Sequence, residues 1–370
     1  MSTVRRTAEE PTRERIVRAA VVQAAPVAFD RERTLDRVAQ LTAEAAADRA
    51  QLVVFPEAFV SGYPKGADFG AVVGTRSPEG REWFRRYHES SVDIPGPAVE
   101  RLGEIARVNA VHLVVGVVER DRGTLYCTVL FLGPDGDLLG KHRKLMPTAM
   151  ERIIWGFGDG STLTVLPTPL GRIGAVICWE TYMPQLRLAM YAQGIELYCA
   201  PTVDDRETWL PTMRHVAFEG RCFVLSANQY ALRSDYPIDY PVEADNPGAV
   251  LIRGGSCIVD PFGKVLAGPA RDGEALLTVD LDLDEIARGT FDLDVVGHYA
   301  RPDVFRLVVN GTAQAPASWE SGEDGAHELG RDRVPVTAAN LGAPISTVEP
   351  TAARSVPFER AGRRGDEQTV

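Results

Sequence analysis

Three functional groups in this sequence each stand where an extended run ends. Glu57 follows Leu52-Val53-Val54-Phe55-Pro56, Lys144 follows Gly140-Lys141-His142-Arg143, and Cys178 follows Gly174-Ala175-Val176-Ile177. In open α/β folds the crevice beyond strand carboxyl ends is where ligands bind, so groups delivered there from distant parts of the chain can converge. A carboxylate, an ammonium and a thiol meeting in one crevice would support nucleophilic chemistry. The thiol attacks carbon readily near neutral pH once a neighbouring base takes its proton.

Each residue also has a plainer reading. Most buried cysteines behave as small hydrophobes; Cys178 stands apart from the other four because it occupies a strand-to-helix corner ahead of Trp179-Glu180. Glu57 follows Pro56, which lacks a backbone donor and closes the strand, so its carboxylate is either a solvated loop group or a desolvated base with a raised pKa. Lys144 ends a basic run that alone would read as a solvated face, and alternation puts it on the side of His142 and opposite Arg143. In the functional reading its ammonium faces charge developing during attack. Glu151, seven residues after Lys144, is either a helix-start carboxylate or a second acid/base group.

The elements that must position these groups follow an α/β rhythm. Residues 17–24 and 51–55 read as strands around an Ala-rich helix over 34–48. A helix over 98–109 precedes strands over 111–119 and 124–132, and a Gly-Pro-Asp-Gly turn at 133–136 leads into a partner strand over 138–144. A hairpin pairs 163–168 with 172–177 and delivers the chain to Cys178. Helices over 184–193 and 208–220 then alternate with strands over 196–200, 222–227, 256–260 and 275–280, so the sheets are mixed. The periodicity fades beyond residue 310. Residues 1–15 are expected to form an N-terminal extension, 16–310 the catalytic domain, and 311–370 a tail, flexible or engaged in oligomer contacts.

Composition excludes several classes. The chain has 370 residues, 45% of them hydrophobic, enough for a sizeable core. A formal net charge of −11 leaves no basic field for nucleic acid or anionic lipid. No apolar run reaches membrane-span length, and residues 1–14 are charged without a signal-peptide core, so the expected location is cytoplasmic. Five widely spaced cysteines without a C-x-x-C pair make structural disulfides and a metal site unexpected. With no dinucleotide fingerprint either, no cofactor is expected.

Taken in order, four blocks resemble the signatures of the nitrilase superfamily. They are Phe55-Pro56-Glu57-Ala58-Phe59; His142-Arg143-Lys144-Leu145-Met146-Pro147-Thr148; Glu151-Arg152 with Trp155-Gly156 and Gly158-Asp159-Gly160-Ser161; and Cys178-Trp179-Glu180 followed by Met183-Pro184. Each is weak alone, but the ordered set is specific and spans residues 17–310. The resemblance implies an α/β fold of four αββα layers and a catalytic Glu-Lys-Cys triad of Glu57, Lys144 and Cys178, with Glu151 as a fourth member.

Trp179 after the cysteine, residues 191–202 and the Gly297-His298-Tyr299-Ala300-Arg301-Pro302 stretch are similar to the nitrile-hydrolysing branch, whereas amidase relatives more often carry Tyr after the cysteine. Gly62-Tyr63-Pro64-Lys65-Gly66 is similar to bacterial and plant-type members. The implied reaction converts an organic nitrile to its carboxylic acid and ammonia through a thioimidate and a thioester. Tyr63, Thr148, Trp155 and Trp179, beside the blocks, are the expected substrate-binding residues, while His298 reads as a packed loop residue. The resemblance also implies a homodimer or larger homo-oligomer, up to spiral filaments. An amidase or carbamoylase with the same triad, and a non-catalytic assembly protein with this fold, are the alternatives.

Overall fold

Alternation along the first strand decides the layering. In β1 (Ile16–Gln23), Val17, Ala19 and Val21 pack into one hydrophobic cluster while Ala20 and Val22 pack into another, all of them buried. A strand apolar on both sides must be covered on both faces.

The computed structural model describes residues 15–315 and residue 317. The chain divides into two units, residues 1–318 and 319–370, and the second lies outside the described residues together with positions 1–14. The expected extension over 1–15, apart from Arg15, and most of the expected tail therefore fall outside them. In the first unit β1 is followed by α1 (Arg31–Ala47), β2 (Leu52–Val54), α2 (Pro78–Ser90), β3 (Val92–Asp93), α3 (Pro97–Asn109), β4 (His112–Asp121), β5 (Thr124–Leu132) and β6 (Leu138–Arg143). Next come β7 (Val165–Thr168), β8 (Gly171–Ala175), α4 (Pro184–Ala192), β9 (Leu197–Cys199), α5 (Trp209–Gly220), β10 (Phe223–Ser226), β11 (Cys257–Val259), β12 (Val265–Ala267), β13 (Ala275–Asp282) and α6 (Asp284–Thr290).

The strands form two mixed sheets. The first runs β13-β1-β2-β4-β5-β6, with β3 also paired to β4; the second runs β12-β11-β10-β9-β8-β7. Between them lies one core, to which β1, β2, β4 and β5 contribute Val21, Val54, Val114 and Val129, and β8, β9, β10 and β11 contribute Ile173, Leu197, Leu225 and Ile258. The outer face of the first sheet packs on α1 and α3 through residues such as Val38, Leu41, Leu102 and Ile105. The outer face of the second packs on α4 and α5 through Met190, Trp209, Met213 and Val216. The result is the expected αββα sandwich.

Helix starts follow local chemistry. The Asp30 side chain accepts from the Arg33 N–H at 3.1 Å to cap α1, and Ser77 accepts from the Gly80 N–H at 2.9 Å to cap α2. Prolines occupy the first turns of α2, α3 and α4, where a missing N–H costs nothing.

The turn that carries Glu57 depends on a glycine in the neighbouring strand. A Cβ on Gly116 of β4 would lie 2.2 Å from the Pro56 carbonyl oxygen and 2.8 Å from the Glu57 Cα. Only glycine lets the strand pass this close beneath the turn.

Candidate active site

Glu57 leaves the end of β2 and is completely buried. Its backbone carbonyl accepts from Gln229 Nε2 at 2.8 Å. Its Oε1 accepts from Lys144 Nζ at 2.6 Å and from the Cys127 thiol at 3.5 Å, whereas Oε2 is buried without a hydrogen-bond partner. Such an oxygen is poised to receive a proton, because taking one relieves its own desolvation.

Lys144 lies one residue past β6, its N–H donating to the Cys127 carbonyl at 2.8 Å. Its ammonium, fully buried, also donates to Glu151 Oε2 at 2.8 Å. Glu151 occupies the helix-start position of one reading and lies against the lysine. It lies in a short 3-10 turn over Ala149–Ile153, accepts from the Thr148 N–H at 2.7 Å, and shares the lysine with Glu57. His142 and Lys144 are both buried while Arg143 turns outward to Glu119 and Asp121, as alternation predicts.

Cys178 ends the extended segment after β8 and begins a 3-10 turn over Cys178–Tyr182. Its φ of 51° is in the left-handed region, a conformation that costs a non-glycine residue of order 1 kcal/mol or more and persists only where surrounding structure imposes it. The Cys178 N–H donating to the Pro201 carbonyl at 2.9 Å is one such constraint. The corner directs the thiol into the core between the sheets, with only 3% of the residue exposed.

The groups act on one another electrostatically. Burial raises the proton affinity of Glu57, which Lys144 opposes and Glu151 reinforces; the Cys178 thiol is among the groups favouring its charged form. Burial would lower the pKa of Lys144, but Glu57, Cys178 and Glu151 together raise it well above the ordinary lysine value. Burial, then Glu57, push the Cys178 thiol up, with Lys144 pulling it down. One ammonium between two carboxylates leaves a net negative surrounding, which favours the neutral thiol over the thiolate.

The structure brings Glu57, Lys144, Glu151 and Cys178 together, and with them part of the expected pocket. The Tyr63 hydroxyl donates to Glu151 Oε1 at 2.9 Å. Trp155, 2% exposed, meets Tyr63 edge to face at 5.7 Å and lies 5.8 Å from Lys144 Nζ. Thr148 is tied in through its backbone, its hydroxyl buried without a partner. Trp179 differs: its side chain donates to Asp204 Oδ2 at 2.7 Å and stacks under Arg206, with 37% of the residue exposed. His298 is exposed rather than packed, its ring meeting that of Tyr299 at 5.3 Å.

Sequence reasoning missed Thr202, whose hydroxyl donates to Cys178 Sγ at 3.0 Å, and the neighbouring Asp204. It also missed Cys127 and Gln229 as supports of Glu57. Nothing in the linear pattern marks them, since they reach the site from three different parts of the chain: β5, the segment after β9 and the segment after β10.

Comparison with known proteins supplies a family match. Residues 18–289 match the carbon-nitrogen hydrolase family. The chain is similar to the bifunctional nitrilase/nitrile hydratase NIT4B of Nicotiana tabacum, at 58% identity over 82% of this chain and 89% of that protein. It is also similar to the aliphatic nitrilase of Sinorhizobium fredii (strain HH103), at 59% identity over 79% and 95%, and to nitrilase 2 of Arabidopsis thaliana, at 52% over 83% and 92%. Among solved structures, Saccharomyces cerevisiae Nit3, of branch 10 of the nitrilase superfamily, shares the fold with a TM-score of 0.60 and 22% identity over 79% of this chain and 99% of that one. An amidase from Nesterenkonia sp. shares it with a TM-score of 0.55 and 22% identity over 73% and 92%.

Proposed function

The chain belongs to the carbon-nitrogen hydrolase family, and from that premise we propose that it is a nitrilase, converting an organic nitrile to the carboxylic acid and ammonia with Cys178 as nucleophile. The observation that carries the assignment of roles is the buried Lys144 ammonium held between Glu57 at 2.6 Å and Glu151 at 2.8 Å, in the field of the Cys178 thiol.

Glu57 takes the thiol proton as sulfur adds to the nitrile carbon, giving a thioimidate. Lys144 stabilises the charge that develops on nitrogen, together with the Trp179 N–H at the open start of the 3-10 turn; each donor of this kind is typically worth about 2.7–4 kcal/mol. Glu57 returns its proton to nitrogen and next takes one from a water, oriented with help from Glu151, as that water adds to the carbon. The carbon–nitrogen bond then breaks, ammonia leaves, and a thioester remains. A second water, activated in the same way, displaces the thiol and releases the acid. Tyr63 holds Glu151, Trp155 walls the lysine, and the Thr148 N–H fixes the Glu151 carboxylate.

The double name of the tobacco relative supports a second product. The intermediate formed after water adds can instead expel sulfur and release the amide. We also place the enzyme in the cytoplasm, as a homo-oligomer; among the described residues no helix is long and apolar enough to cross a membrane. Self-association is supported by exposed apolar residues between positions 291 and 309, including Phe291, Tyr299, Phe305 and Val308, and light scattering tests it.

The deciding experiment supplies an aliphatic or aryl nitrile and the matching amide separately, follows ammonia release, and locates the covalent adduct by mass spectrometry. A nitrile-derived adduct on Cys178 with faster turnover of the nitrile is the expected result. Faster release from the amide would reject the nitrilase reading.

A further inference from the structure

We propose that Thr202 is a further catalytic residue, whose hydroxyl holds the Cys178 sulfur as a thiolate both when it attacks and when it is expelled, and thereby sets the share of amide among the products. The inference rests on the nitrilase reading for its chemistry but on independent geometry for the contact.

Thr202 follows β9 and Pro201. Its backbone is placed by the sheet rather than by its side chain, the N–H donating to the Ala227 carbonyl at 2.8 Å. Its hydroxyl accepts from the Asp204 N–H at 2.9 Å and has one proton of its own, which it donates to Cys178 Sγ at 3.0 Å. The residue is completely buried, so water does not compete for that proton. The turn that supplies the Asp204 N–H is itself held: the Asp204 carboxylate accepts from Trp179 Nε1 at 2.7 Å and Arg206 Nε at 2.8 Å, and its carbonyl from Asn228 Nδ2 at 2.7 Å. Thr202 is thus a donor aimed in advance at the reacting atom. Such preorganised donors are effective because they need no reorganisation when charge appears.

The consequence follows from the intermediate left after water has added, a carbon bearing hydroxyl, amino nitrogen and Sγ. If the carbon–nitrogen bond breaks, the hydroxyl proton passes through the base to the nitrogen, which leaves as ammonia with the bond's electron pair, the carbonyl forms, and the thioester goes on to acid. If the carbon–sulfur bond breaks, its electron pair goes to Sγ, the carbonyl forms as the hydroxyl proton passes to the base, and the amide leaves. A hydrogen bond that is stronger to thiolate than to a bonded thioether favours the second path. Removing it shifts the partition toward acid and also slows the first attack.

The test compares the wild type with Thr202→Val, nearly the same shape without the hydroxyl, and Thr202→Ser, which keeps it. The first readout is alkylation of Cys178 by iodoacetamide across pH, located by mass spectrometry. Glu57, Lys144, Glu151 and Arg206 also act on this sulfur, and none of them is altered. The valine variant should react about tenfold more slowly at neutral pH, with its profile displaced to higher pH, and serine should restore both. The second readout is the amide share of the initial products from a nitrile, which should fall several-fold in the valine variant and return in serine. Unchanged alkylation in valine, a rise in its amide share, or a serine variant as impaired as valine would overturn the proposal. If the native protein converts nitriles to neither product, the nitrilase reading fails, while alkylation still decides the role of Thr202.

Discussion

Glu180 and Leu145 are joined across the two sheets: Glu180 Oε2 accepts from the Leu145 N–H at 2.8 Å, one residue past the proposed catalytic lysine. Its other oxygen accepts from the Ile177 N–H at 2.7 Å, one residue before the proposed nucleophile, and from His142 Nε2 at 2.7 Å. One buried carboxylate therefore sets the distance between the segment that carries Lys144 and the corner that carries Cys178.

Replacing that carboxylate should loosen the pair without touching either group. Glu180→Ala orphans buried donors at Ile177, Leu145 and His142, each costing about 1–3 kcal/mol. The expected outcome is a lower unfolding midpoint and a drop in kcat with little change in KM, the pattern of an interaction that acts in the transition state. Urea melts with steady-state kinetics check it; an unchanged kcat in a folded variant removes the clamp from the mechanism.

Glu57→Gln keeps the shape of the base but not its proton affinity. Turnover of a nitrile should fall by about 10²- to 10⁴-fold. Stability has the opposite sign from an ordinary salt-bridged carboxylate, because burial raises the folded-state pKa above the usual glutamate value. Between the unfolded and folded pKa values the native state binds the extra proton, so the wild type loses stability relative to Glu57→Gln as pH rises through the folded pKa. Thermal melts of both proteins over a pH series show whether the gap opens in that direction.

The same shift predicts the acid limb of the wild-type rate profile. As pH falls through the raised Glu57 pKa the base is protonated and kcat/KM declines, with a midpoint above 4.5, the ordinary glutamate value. A limb at or below that value would show that another group sets the acid side.

Lys144→Met should be the most damaging change at the site. It leaves two buried carboxylates, Glu57 and Glu151, facing a position that had bound them at 2.6 and 2.8 Å. Breaking a buried pair by removing one partner costs about 3–5 kcal/mol. Adding Glu57→Gln to this variant should restore part of the stability and none of the activity, a coupling that a double-mutant cycle measures.

Gly116→Ala tests the support beneath the base. The new methyl group would meet the Pro56 carbonyl oxygen at 2.2 Å and the Ala58 nitrogen at 2.7 Å, and overpacking of this kind costs about 1–3 kcal/mol. Activity should fall further than stability accounts for, since relief of the clash moves Glu57. Kinetics well below the unfolding temperature separate the two effects.

Much of this protein was legible in the linear sequence because strands and their ends follow local rules. Apolar alternation located nearly every strand of the two sheets; the hairpin strand before Cys178 ends at Ala175, two residues short of the expected 177, and the strand before Lys144 ends at Arg143, one short of 144. Helix α2 escaped notice because only Gly80, Tyr87 and Ser90 of its thirteen residues are buried, too sparse a face for periodicity to mark. Strand β12, three half-buried residues at a sheet edge, escaped for a similar reason.

The sequence by itself determined that a carboxylate, an ammonium and a thiol would each end an extended segment, since that depends on residues adjacent in the chain. Which groups then surround them was decided by tertiary structure alone. Thr202 reaches the sulfur because β8 and β9 pair side by side in the second sheet, Gln229 reaches Glu57 because the two sheets stack face to face, and Cys127 reaches Glu57 and Tyr63 reaches Glu151 from other strands and loops of the first sheet. Hydrogen bonds are short-ranged and directional, so no spacing along the chain encodes them until packing has set the distance between the layers.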